Sequence, residues 1–176
     1  MTKLENTILY LLMRAKEKGK NNLSKIELFK YIYLLESESY RFTGKSFFDC
    51  PMSFVRDKNG PISTDIYKAL TGLVGNYVNI IEENNNNYTF PRHSISLKKK
   101  LNKIDINESE KLFINSVLES YISLPINKLK KIVYATEPML EIIKEEKANK
   151  VSLLKGERLN FNCIPLDADV VDLIGS

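Results

Sequence analysis

Nucleophilic catalysis needs a base beside its nucleophile, and this chain holds one histidine, His93, to activate Cys50, Cys163 or any serine. His93 follows Pro91-Arg92 at an expected hairpin exit, where an imidazole ordinarily sits on the surface. Asp167 and Asp169 form a short acidic pair, but hard cations gather more oxygen ligands than two carboxylates offer, so a solvated tail is the expected role. Gly60, Gly72 and Gly75 match neither G-x-G-x-x-G nor G-x-x-x-x-G-K-[ST] and read as turn and packing glycines. With no Cys-x-x-Cys and no Cys/His cluster, neither a disulfide framework nor a zinc site is signalled, and reduced thiols are the default. The expectation is a non-enzyme with no catalytic residue, no metal and no cofactor.

The remaining chemistry is that of contact. Phe54, Arg56 and Tyr67 flank Gly60-Pro61, and aromatic anchors together with Arg dominate interface energetics. Gly60 takes positive φ cheaply, whereas Pro61 locks φ and disfavours α geometry at the residue before it, so the pair stops one element and aims the next. Phe47-Phe48, Phe54, Tyr67, Tyr77 and the tail's Val170, Val171, Leu173 and Ile174 exceed what one small core must absorb. The competing reading assigns most of them to that core.

At 176 residues and 43% hydrophobic content, the chain suits one domain that buries its own core without disulfide or metal staples. Lys+Arg of 26 against Asp+Glu of 22 leaves a net charge of +4, which permits an acidic partner without demanding one. Glu5 stands where an export signal wants only positive charge, and no membrane span is visible; the expected location is the cytoplasm.

Several elements must position the candidate residues. Leu4, Ile8, Leu11, Leu12 and Ala15 give a first helix one apolar stripe, expected to pack on one side only. Ser24 and Glu27 propose a capping box, Leu23 staples onto Leu28, and the helix that follows is apolar around its girth until Thr43-Gly44. After Gly60-Pro61, Ser63 or Thr64 caps a third helix with Ile66, Leu70, Leu73 and Tyr77 on one face, ending near Asn76. Val78 to Glu83 and Tyr88 to Phe90 flank the turn Asn84 to Asn87, and helix followed by hairpin is the outline of a winged helix. A DNA-reading helix would need base-contacting side chains, yet this one offers Lys68 after Asp65, with Glu82-Glu83 beside the wing. The run Lys98-Lys99-Lys100 keeps phosphate contact open as a rival. Asn107 and Glu110 open a helix carrying Phe113, Val117 and Tyr121; Leu129, Ile132 and Val133 form another, and beyond Pro138 helical periodicity runs to about Lys147. The fold class expected is mainly α, a compact helical domain over 1–147 with a small winged-helix-like β-hairpin. Residues 148–176 form a tail, docked or partner-binding.

From about Leu23 to Lys147 the chain resembles the Panacea, or SocA-like, antitoxin domain family, also found in phage-associated proteins. Ser24 to Tyr33 and Gly44-Lys45-Ser46-Phe47-Phe48 fill the places of the family's Lys-containing helix and Gly-Lys turn. Phe54 to Pro61 followed by Ile66-Tyr67 matches its central signature, and Leu129 to Pro138 its later helix and proline. The family's Thr-His dipeptide and Pro-Trp are absent, since Val133-Tyr134 and Met139 stand there and the chain has no Trp. The resemblance implies a noncatalytic domain that neutralises a cognate toxin, encoded by an adjacent gene, through direct protein–protein binding. A protease adaptor presenting the toxin to a host protease, and a winged-helix DNA-binding regulator, are its alternatives. Phe54, Arg56, Gly60, Pro61 and Tyr67 are the expected partner-binding residues.

Overall fold

The computed structural model describes residues 1–84 and 92–167, and over these the chain is mainly helical. Its elements are α1 (Lys3–Glu17), β1 (Leu23–Ser24), α2 (Lys25–Thr43), β2 (Val55–Asp57), β3 (Gly60–Ile62), α3 (Thr64–Leu73), β4 (Val78–Glu83), β5 (Arg92–Leu97), α4 (Glu108–Tyr121), α5 (Ile126–Tyr134), α6 (Glu137–Ala148) and one 3-10 turn, Phe161–Cys163. They group into two compact units, Met1–Phe29 with Ile66–Ser123, and Lys30–Asp65 with Leu124–Ser176.

In the first unit, capping boxes set the helix starts. Thr2 Oγ1 accepts the Glu5 N–H while the Glu5 carboxylate accepts that of Thr2, and Asn107 and Glu110 repeat the exchange ahead of α4. At α2, the Glu27 N–H donates to Ser24 Oγ at 3.2 Å and the Ser24 N–H to the Glu27 carboxylate at 2.9 Å. Helix α1 does not keep to one face: Asn6, Thr7, Leu9 and Tyr10 are buried beside Ile8, Leu11, Leu12 and Ala15. The expected single stripe missed this because Asn6 and Thr7 satisfy their own polar groups, each side chain donating to a carbonyl one turn earlier. On α4 the buried positions are Ile114, Val117 and Leu118, so of the expected face Val117 is buried while Phe113 and Tyr121 are half-buried beside it.

Helix α3 begins as its cap predicts, with Ser63 Oγ accepting the Asp65 N–H, but it stops at Leu73 rather than near Asn76. Gly75 at φ +86° turns the chain there and Tyr77 leaves the helical face. Strand β4 pairs antiparallel with β5, and β5 with β1, so among the described residues β4 and β1 are the edges of a three-stranded sheet. The expected turn from Asn84 and return strand Tyr88 to Phe90 lie outside the described residues beyond Asn84; the described return strand starts at Arg92, which places His93 inside β5 opposite Glu82.

In the second unit α2 is buried continuously from Lys30 to Ser37 and ends at Thr43, where Gly44 adopts φ +68°. Helix α6 takes Pro138 within its first turn, the position where a missing N–H costs nothing. The described part of the C-terminal segment docks: Leu159 donates to the Phe54 carbonyl and Arg56 to that of Glu157, extending β2 on its outer side. Leu159, Phe161 and Ile164 are buried. Asp167 donates its N–H to the Arg41 carbonyl, while Asp169, Val170, Val171, Leu173 and Ile174 lie outside the described residues. Replacing the α2 cap, Ser24→Ala, should lower the free energy of unfolding by about 1 kcal/mol in urea titration; an unchanged midpoint would show the cap to be idle.

Candidate partner-binding site

The Gly-Pro segment is a hairpin rather than a bare corner. Strand β2 pairs with β3 in the register Val55↔Ile62, Arg56↔Pro61, Asp57↔Gly60, around a turn at Lys58 and Asn59. Pro61 fits because a two-stranded sheet has an open side on which no N–H is required.

Buried charge fixes this hairpin in the second unit. Arg56 Nε donates to Glu146 Oε1 at 2.9 Å, and its guanidinium also donates to the Tyr134 hydroxyl at 3.0 Å and lies 5.1 Å from that ring. Burial works against charge on Arg56, yet the bonds to Glu146 and Tyr134 outweigh it and raise its affinity for the proton. Burial likewise opposes the Glu146 carboxylate, but Arg56 and the Leu154 N–H hold it below the usual range. Both side chains are only 8% exposed.

A second cation closes the turn. Lys30 is 1% exposed and its ammonium donates to the Asn59 carbonyl at 2.6 Å. Burial, and then repulsion from Lys130, push Lys30 down to about 8. Gly60 stands at φ +103°, and a Cβ there would meet Lys30 Nζ at 2.9 Å and Tyr134 Cε2 at 3.4 Å. The positive φ calls for glycine, and any side chain there would also displace the Lys30 ammonium from the turn.

Below the hairpin an aromatic cluster forms the core. Phe54 is fully buried, edge-on to Tyr33 at 5.3 Å and tilted against Phe161 at 5.7 Å. The Tyr33 and Thr136 hydroxyls share a 2.6 Å hydrogen bond. The loop entering β2 hangs on one carboxylate: Glu36 accepts Ser46 Oγ at 2.7 Å and the N–H groups of Phe47 and Met52 at 3.0 and 3.4 Å.

Tyr67 belongs to the first unit and behaves differently. It is 39% exposed on α3, its ring 4.8 Å from Phe29 and 4.4 Å from the Lys25 ammonium. An amphipathic ring backed by apolar packing and edged by a cation has the makeup of an interface anchor.

Of the five expected contact residues, Phe54, Arg56, Gly60 and Pro61 are therefore buried, and Tyr67 presents surface. Phe47 and Phe48 are buried as well, so with Phe54 three of the apolar side chains read as surface excess are core, whereas Tyr77 is half-buried and Val170, Val171, Leu173 and Ile174 lie outside the described residues; the loop tied to Glu36 draws the Phe47 and Phe48 rings in. Sequence reasoning missed Lys30, Glu36, Tyr134 and Glu146. A lysine inside Leu28-Phe29-Lys30-Tyr31-Ile32 was a usable signal of burial, whereas Glu146 lies in a Lys/Glu-rich stretch that gives none. Cys163 donates to the Asn160 carbonyl, and burial, then Glu141, push its thiol up to about 11, far from a reactive thiolate.

The family model described as "Antitoxin SocA-like, Panacea domain" matches residues 28–138. That span holds Lys30, the whole β2–β3 hairpin, Tyr67 and Tyr134, while Glu146 falls beyond it. No curated protein matches the chain.

Gly60→Ala should cost about 1–3 kcal/mol of stability through backbone strain and displacement of Lys30, read by denaturant unfolding; a loss below the error of that measurement would remove the glycine constraint. Lys30 gives a pH signature of known sign. Its penalty is fully present below pH 8, and between about 8 and 10.5 the unfolded chain holds a proton that the fold has released, so stability rises with pH. Across pH 7.5 to 9 the melting temperature of the wild type should climb relative to Lys30→Met. Parallel curves would show that the buried ammonium carries no such penalty.

Proposed function

Because the chain belongs to the SocA-like Panacea antitoxin domain family, we propose that it is a noncatalytic antitoxin that neutralises a cognate toxin by direct binding in the cytoplasm. The observation that carries this reading is the family match over 28–138, which takes in the entire hairpin framework and Tyr67. Buried and cross-linked by ion pair and aromatic packing, Phe54, Arg56, Gly60 and Pro61 act as supports. Tyr67, flanked by Lys25, is the contact residue. No described helix is long and apolar enough to cross a membrane.

A winged-helix, DNA-binding reading is favoured by the order α3, β4, β5. Its electrostatics are poor: β4 ends in exposed Glu82 and Glu83, and in the basic run Lys98 is bonded to the Gly75 carbonyl while Lys99 lies over Tyr77. Phosphate contacts would make any DNA affinity fall steeply with added salt.

Co-expression with the product of the adjacent reading frame should restore growth and yield a copurifying complex, with Tyr67→Ala weakening that complex about tenfold or more. Persistent toxicity without a complex would sink the antitoxin reading. Faster loss of the toxin in cells would replace masking by protease delivery.

A further inference from the structure

Among the described residues strand β4 is an open edge of its sheet, and every residue in it beyond Val78 is exposed. Its backbone groups divide by parity. Lys98 donates to the Tyr77 carbonyl, so Tyr77 faces β5, and antiparallel alternation turns Asn79, Ile81 and Glu83 the same way. Val78, Ile80 and Glu82 direct theirs outward. The Val78 carbonyl accepts the Gly75 N–H, which closes that end of the edge. Ile80 and Glu82 are left carrying the outward N–H and C=O groups. Apolar surface runs along the same rim: Ile81 is 59% exposed, Ile80 38%, and Val74, bridged to Val78, 45%.

Resting on the antitoxin reading, we infer that an extended, basic segment of the toxin adds to β4 as a fourth strand of this sheet. Main-chain bonds to Ile80 and Glu82 supply affinity, and side-chain pairing supplies selectivity. Charge selects the occupant. The described strand β4 holds Glu82 and Glu83 with no base; Glu83 faces Arg92 across the ladder, whereas Glu82 faces His93, so Glu82 is the stronger draw for a partner's Lys or Arg. A second copy fits less well. An antiparallel pairing that engages both outward residues of each copy sets Ile80 of one against Glu82 of the other and brings the two Glu82 side chains onto one face as diagonal neighbours, about 7–8 Å apart. An apolar partner residue beside Ile81 and a basic one opposite Glu82 meet no such repulsion.

The test co-expresses the product of the adjacent reading frame with the wild type, Glu82→Pro and Glu82→Lys. Proline at Glu82 deletes an outward N–H and spares the bonds to β5; circular dichroism and melting check the fold, and if that variant does not fold, Glu82→Lys and amide exchange decide. Each variant should weaken the complex at least about tenfold. Exchange at the Ile80 and Glu82 amides of the wild type should slow on binding, with Asn79, Ile81 and Glu83 little changed. A complex of wild-type strength with both variants, and exchange unaltered at Ile80 and Glu82, overturns the edge assignment alone. Absence of any wild-type complex overturns it together with the antitoxin reading. A wild-type chain that dimerises by itself with those two amides protected assigns the edge to a second copy instead.

Discussion

The buried pair of Arg56 and Glu146 is the constraint on which the second unit depends. A guanidinium taken out of water is tolerable only if its bonds are answered, and here a carboxylate and the Tyr134 hydroxyl answer them. Those contacts tie β2 to α5 and α6, and Glu146 also fixes the Leu154 N–H at the start of the C-terminal segment. Removing one partner of such a pair typically costs 3–5 kcal/mol, because the other charge stays buried. The hairpin is therefore held by electrostatics that can be satisfied in one geometry only.

Much of the local structure was legible in the residues. Ser24 with Glu27 and Asn107 with Glu110 announce helix starts because a cap is a contact between residues three apart. Gly44 marks a helix end for the same local reason. The family framework, too, could be read from the order of Gly44-Lys45, Phe54, Gly60-Pro61 and Tyr67.

What could not be read was partnership across distance. Phe54 and Arg56 have interface-like character in sequence, and nothing near them announces Phe161 or Glu146, about a hundred residues on. Aromatic and Arg side chains serve cores and interfaces alike, so burial decides their role and burial is a tertiary property. The β2–β3 hairpin escaped notice because Gly-Pro suggests a corner, whereas the actual turn lies one step earlier at Lys58-Asn59. Tyr67 stays 39% exposed although its ring packs against Phe29 and lies beneath the Lys25 ammonium.

The docking of Leu159 and Glu157 against Phe54 and Arg56 bears on how the protein is made. A ribosome delivers β2 about a hundred residues before the stretch that completes it, and Glu146 emerges nearly as late. Until then the Arg56 guanidinium has no carboxylate and Phe54 no Phe161. Closing so long a loop carries an entropic cost that only finished contacts offset. Nascent chains must therefore wait, hairpin unsealed, until Glu146, Glu157 and Leu159 have emerged, and a product cut before Glu146 would be born without the lock.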